Sequence, residues 1–424
     1  MTLGQVIQRI QIARWTPVKS ARGSDAPQRM GLRWRVLVWA LMSAAFTGLI
    51  IQYSYSHGRL ACPPYYDDVS YFEDALHRLA GYYSGGFVRV LSDYRAWPPH
   101  SPFSSFLALI AYAFLGIHDW APYVANGLVI FGLLLFLDLM GGGLTLGRKI
   151  FLAMFVLTIP VASEAVFEFR PDVPSALFAA MGAMLMVRRS LSKAGWKYQA
   201  AAGALFGLAL LAKPPTSPLT LALFFVALGV GSLIDWYLTR PAWDKLARAW
   251  GCCIAAMVLV PLPHYLLTWR VTWEYIYTPI FGSTNAIWRS AGTPQWHMEY
   301  YLTGDGGQFM FGLELPVLLW VIGLGLLAML LLRRWTPALR AAGILAVALI
   351  AYAIPTAMSV KQRFFGATLA WIVVLAAADV LARLLRRKGW APIALFALAM
   401  LCALRQARLG PELYARGSAV VLER

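Results

Sequence analysis

Apolar runs long enough to enter or cross a lipid bilayer recur along almost the whole chain. They fall near 34–53, 101–117, 121–140, 150–167, 173–187, 198–212, 217–234, 248–268, 313–332, 338–354, 364–382 and 390–406. A spanning helix needs roughly 20 largely apolar residues to cross about 30 Å of hydrocarbon. Backbone in lipid must also satisfy its own N–H and C=O groups, which leaves helices as the solution for runs of this length. The expected fold class is therefore an all-α polytopic membrane protein. Charge agrees: 13% of the 424 residues are charged, against about 25% in a soluble domain.

The formal net charge of +17 does not point to nucleic acid, because the basic residues are not gathered on one segment. They form short clusters between apolar runs, as in cytoplasmic loops: Arg148/Lys149, Arg188/Arg189/Lys193, Arg240/Lys245/Arg248, Arg333/Arg334 and Arg383/Arg386/Arg387/Lys388. Residues 1–33 read as a basic cytoplasmic segment, 34–406 as the transmembrane domain and 407–424 as a tail. No cleavable leader is expected. The four cysteines show no metal-ligand spacing and imply no disulfide framework. Two full crossings at 101–117 and 121–140 would put Arg148/Lys149 outside, so 101–117 is expected to be interfacial or re-entrant. About eleven crossings remain.

The loops then expected outside, 54–100, 164–172, 269–312 and 355–363, hold most of the acids. Within 54–100, Asp68 to Ala80 spaces Val69, Phe72, Leu76 and Leu79 as one apolar face, the pattern of a helix lying flat on the outer leaflet. Residues 269–312 are rich in Trp and Tyr (Trp273, Tyr277, Trp288, Trp296, Tyr300, Tyr301), as in an interfacial lid.

Five motifs carry candidate chemistry. Asp67-Asp68 follows the first apolar run; adjacent carboxylates repel, although a helix N-terminus alone favours acids. Pro98-Pro99-His100-Ser101-Pro102 precedes the second run and also reads as a plain helix start. Glu168-Phe169-Arg170-Pro171-Asp172 lies between two membrane segments. Ionisable groups cost about 2.5–3.5 kcal/mol each at mid-bilayer, so these should pair or line a cavity. Lys213 in Ala212-Lys213-Pro214, and Lys361 and Arg363 in Ser359-Val360-Lys361-Gln362-Arg363, are cations on the side that topology leaves acidic. Snorkelling explains one such lysine; three cations together read as a phosphate site.

In their order along residues 34–382, these motifs make the chain resemble the GT-C-fold membrane glycosyltransferases that use polyprenyl-phosphate-linked sugars, the group of the lipid A aminoarabinose transferase and the protein O-mannosyltransferases. Departures exist: Asp67-Asp68 stands for Asp-Glu, Ser70 for the arginine that follows, and the Pro98–Pro102 run for Glu-Lys-Pro. The soluble C-terminal domain of the one and the inserted β-rich domain of the other have no counterpart in the sequence. The resemblance implies a GT-C-like bundle and inverting transfer of a sugar from a polyprenyl-phosphate donor to a hydroxyl-bearing acceptor (lipid, glycan or protein). The site would face the exterior or periplasm from the plasma (inner) membrane. It also implies Asp67 and Asp172 as catalytic residues, with Asp67 the base. Asp68, Arg170, Glu168, His100, Lys213, Lys361, Arg363 and His297 would bind substrate. No cofactor is expected; a divalent cation among Asp67, Asp68 and Asp172 is the less favoured alternative. The rival classes are a transporter or flippase of a lipid-linked or anionic solute, and a non-catalytic lipid-binding assembly protein. Against a transporter, the acids cluster at one face rather than at the midplane where transporter sites lie.

Overall fold

A computed structural model describes residues 31–57, 59–61, 67–282 and 289–386, and the described residues are almost entirely helical. In chain order the helices are α1 (Leu32–His57), α2 (Asp67–Ala96), α3 (Pro102–Leu115), α4 (Ala121–Met140), α5 (Leu146–Leu157), α6 (Pro160–Phe167), α7 (Asp172–Arg188) and α8 (Trp196–Ala212). There follow α9 (Ser217–Thr239), α10 (Trp243–Leu259), α11 (Leu262–Phe281), α12 (Pro294–Glu299), α13 (Asp305–Phe311), α14 (Leu315–Leu331), α15 (Trp335–Ala357) and α16 (Ala367–Leu384). The chain is an integral membrane protein. Among the described residues, five helices are long and apolar enough to cross a bilayer, or up to eight if each bent pair is one span. Two more, α7 and α8, have 17 residues each, at the short end of the spanning range. The expected crossing at 390–406 and the tail 407–424 lie outside the described residues.

Two expected straight crossings are bent instead, α5 to α6 by 73° and α10 to α11 by 60°, and α13 meets α14 at 68° just before the expected crossing at 313–332. The first two breaks fall at Pro160 and Pro261, whose rings remove a backbone donor and crowd the preceding turn. The third falls at Gly312, at φ 59°, just before Pro316. The 101–117 segment folds as α3, 14 residues or about 21 Å, too short to cross.

Both long loops differ from expectation. The helix foreseen at Asp68–Ala80 runs on as α2 to Ala96, kinked at Gly86 (φ 65°). Its Tyr71, Phe72, Ala75 and Arg78 are buried against protein, including Tyr112, Tyr123 and Phe169, so this face is not free to lie on lipid. The 269–312 segment begins as helix, since α11 continues to Phe281. Tyr300 and Tyr301 are buried beside Gly306 rather than displayed as surface anchors. Trp288 lies outside the described residues.

The centre of the bundle is α7, buried along its whole length, with α8, α9 and α16 packed around it. Lipid supplies no hydrophobic drive between helices, so close approach at small residues matters more there. On α8, Gly203 and Gly207 face the backbone of α10: a Cβ at Gly203 would stand 2.0 Å from the Cys253 carbonyl oxygen. Gly203→Ala is accordingly expected to cost about 1–3 kcal/mol and to lower the melting temperature in detergent. Gly132→Ala, where a Cβ meets open space, leaves it unchanged.

Candidate active site

The site residues come from the starts and ends of helices that meet at one end of the bundle. Asp67 and Asp68 open α2, where acids complement the helix dipole. Asp172 opens α7. Lys213 follows the last residue of α8, held where Pro214 ends that helix. Ser101 caps α3 by accepting from Ser104 N, and its hydroxyl donates to the Ala212 carbonyl at 2.6 Å. That bond fixes His100 and Lys213 on neighbouring turns.

Two ion-pair groups result. In the first, Arg170 lies 3.2 Å from Asp67 and 3.5 Å from Glu168, with its guanidinium over the Phe364 ring at 4.3 Å. Arg363 also sits over Phe364, and at 4.3 Å over Phe309, so Arg170 and Arg363 share one aromatic ring. In the second, Lys213 Nζ lies 3.2 Å from Asp172. Accessibility separates the carboxylates: the Asp67 side chain is 39% exposed and that of Asp172 5%. A cleft below Asp172 is lined by Ala176, Ala179, Leu219, Thr220 and Phe365, with Phe364 at its side.

Tyr71 joins the two groups and is the residue that motif reading passed over. It is fully buried, its ring is next to those of His100 and Phe169, and its hydroxyl has no hydrogen-bond partner. Burial, and then the Asp172 and Asp67 carboxylates, push its pKa well above the ordinary tyrosine range. Its signal in the sequence was position: four residues after Asp67, one helical turn, it shares that carboxylate's face.

Three candidates are placed differently from the rest. Asp68 is completely buried and accepts a hydrogen bond from Tyr123 Oη at 2.6 Å, away from the accessible carboxylate. Lys361 donates all three N–H groups to the carbonyls of Pro355, Thr356 and Met358 (2.6–2.7 Å), closing the C-terminal end of α15. Burial lowers its pKa to about 8. In this structure it is a backbone cap rather than a free cation. His297 lies on α12, where its ring neighbour is Trp296 rather than a member of the cluster. Among the described residues, no three His, Cys, Asp or Glu side chains gather closely enough to hold a metal ion.

The His100 ring lies against that of Tyr275, tilted by 57°, with ring centroids 3.9 Å apart. Desolvation there, and then the Lys213 cation, lower its pKa to about 4.

The architecture is similar to that of ArnT. Two crystal structures of ArnT from Cupriavidus metallidurans match, one in the apo state and one bound to undecaprenyl phosphate, each with a TM-score of 0.54. The identity is 17% and 16%, and the matches cover 86% and 87% of this chain. This chain spans 62% and 63% of the length of those ArnT chains. At that identity the likeness establishes a shared fold, the GT-C-type membrane bundle expected from the motifs. No protein-family model matches the sequence, and no curated protein matches it.

The depressed His100 pKa has a thermodynamic consequence. Between about pH 4 and 6.5 the unfolded chain binds a proton at this histidine that the folded chain refuses, so stability falls as pH drops through that window. His100→Gln should flatten part of this acid loss of melting temperature; identical pH profiles for the variant and the parent would show that His100 does not contribute.

Proposed function

We propose that this chain is a glycosyltransferase that moves a sugar from a polyprenyl monophosphate to an acceptor hydroxyl, with inversion, on the non-cytoplasmic face of the membrane. The observation that carries the reading is the pairing of an accessible carboxylate, Asp67, with Arg170, at a mouth that also holds Lys213 and Arg363. It is supported by the shared fold with ArnT, one structure of which is bound to undecaprenyl phosphate.

The chemistry needs little else. A sugar phosphate leaves as an anion, so its departure requires stabilising cations rather than a proton donor. Lys213 and Arg363 are assigned to that charge. The acceptor hydroxyl gives its proton to Asp67 as its oxygen bonds to the anomeric carbon. The bond from that carbon to the phosphate oxygen breaks with its electrons on the phosphate. Arg170 orients Asp67, and Glu168 fixes Arg170 from the other side. Asp172 holds Lys213 in place. The Tyr71 hydroxyl, lacking a protein partner between the two ion-pair groups, is assigned to donate to a substrate oxygen. His100, neutral at working pH, contributes a wall and a neutral hydrogen-bonding ring.

Asp67→Asn keeps size and shape but removes the base. It should retain binding of a polyprenyl-phosphate sugar and lose about 10²–10⁴-fold in release of the carrier phosphate. Tyr71→Phe should reduce turnover without loss of melting temperature, because removing a buried hydroxyl that has no partner costs the fold little. Wild-type turnover by Asp67→Asn would refute the base assignment. A chain that moves a lipid-linked or anionic solute across vesicles, with no carrier phosphate released, would instead establish a transporter.

A further inference from the structure

The end of the bundle opposite the candidate site carries its own concentration of charge. α7 runs from Asp172 at the site to Arg188, and α16 from just after Phe364 to Leu384, so both helices connect the two ends. Arg188 and Arg383 grip the two oxygens of one carboxylate, Asp379, at 2.5 and 2.6 Å. Arg188 also donates to the Met140 carbonyl, which Arg386 approaches at 3.5 Å, so these guanidiniums lie side by side. Arg148 donates to the carbonyl of Leu385, the residue before Arg386.

Two other acids near this end, among the described residues, are already engaged. Asp235 accepts from Arg340, Ser190 and Ser192. Asp138 is paired with Arg35 and Lys149. Arg188 and Arg383 thus share one fully buried carboxylate, Arg386 and Arg189 lie within electrostatic reach of the group, and Arg148 reaches the neighbouring Leu385 carbonyl. Burial, and then the Arg188 and Arg383 cations, hold Arg386 below the ordinary arginine range.

The positive-inside pattern alone does not explain this arrangement. It is satisfied by arginines that splay into water, whereas these converge on Met140, Leu385 and Asp379. Arg148 and Arg386 remain exposed, and a guanidinium has five N–H donors, so most of their donors point outward. They flank the turn Gly141-Gly142-Gly143, in which Gly143 takes φ 88° and a Cβ would lie 3.9 Å from Arg386 Nε. A side-chain-free turn lets a ligand's oxygens come close to backbone and arginine together. One face of α4 offers Leu128, Phe131, Leu135 and Leu139, at helical spacing, leading to Met140. The site therefore joins a partly exposed apolar stripe, open at Leu128 and Leu139 and half-buried at Phe131 and Leu135, to a cationic end, which is the shape of a lipid rather than of a free anion.

We propose that Arg148, Arg386 and the Gly141–Gly143 turn bind the phosphodiester headgroup of an anionic phospholipid in the leaflet opposite the candidate site, with an acyl chain along α4. The proposal does not rest on the transferase reading. Arg188, Arg383 and Asp379 hold the helix ends in place, and the two exposed arginines contact the phosphate bidentately.

The test uses the purified full chain in neutral detergent, with cardiolipin, phosphatidylglycerol and phosphatidylcholine each titrated in and bound lipid counted by native mass spectrometry. The two anionic lipids should bind and raise the melting temperature, while phosphatidylcholine does neither. The double substitution Arg148→Gln/Arg386→Gln should weaken binding about tenfold or more. Arg334→Gln, an exposed arginine at another inter-helix turn, serves as the charge control and should bind as the parent does. Equal affinity for phosphatidylcholine, unchanged binding by the double variant, or an equal loss in Arg334→Gln would overturn the site. Displacement of the lipid by millimolar inorganic phosphate would overturn the lipid as its occupant.

Discussion

A helix buried along its whole length cannot carry bare charges at its ends, and α7 carries one at each. Asp172 in its first turn and Arg188 in its last are both buried. Leaving either without a partner costs several kcal/mol, because an uncompensated charge in low dielectric has no water to stabilise it. Each therefore dictates a neighbour: Lys213 from the end of α8 for Asp172, and Asp379 from α16 for Arg188. The signs also suit the helix dipole, acid at the N-terminus and base at the C-terminus. The register of α8 and α16 against α7 is thus set by two ion pairs, and the glycine contacts fill in behind them.

That constraint shapes the candidate site. Lys213 is paired with buried Asp172, so the accessible acid of the two is Asp67. The same logic separates Asp67 from Asp68, its neighbour in sequence. One carboxylate faces Arg170 and solvent, while the other is sealed behind Tyr123. Adjacent acids on a helix point about 100° apart, so they need not share a function.

The membrane class, the helical fold and the family likeness were legible because hydrophobic run length and the order of charged motifs survive in one dimension. Asp67, Arg170, Glu168, Asp172, Lys213 and His100 were legible for a related reason: each is a costly or misplaced polar group beside an apolar run. What escaped was geometry that composition does not encode. The bends at Pro160 and Pro261 lie inside runs whose hydropathy reads as continuous. Tyr71 was hidden because a tyrosine in an aromatic segment looks like any interfacial anchor; only the burial of its hydroxyl among charges sets it apart. At the opposite end, Asp138, Asp235 and Asp379 drew no notice as single acids within apolar helices, although each organises arginines or lysines around it.

Lys361 shows how a sound topological inference can meet a different physical need. A cation on the acidic side of the membrane does require an anionic partner, and phosphate was the economical choice. α15 ends at Ala357, so the last carbonyls of the helix have no following helical N–H to bond them. The carbonyls of the last turn are then left without donors in a place water reaches poorly. Three partial negative charges at a helix C-terminus attract an ammonium as a phosphate does, and an ammonium's three N–H groups match three oxygens. With Lys361 committed to backbone, the mouth of the cleft keeps Lys213 and Arg363 as its cations. A phosphate bound there would face one lysine already shared with Asp172 and one arginine stacked on Phe309. A monoanionic or dianionic phosphate would suit that limited charge better than a pyrophosphate.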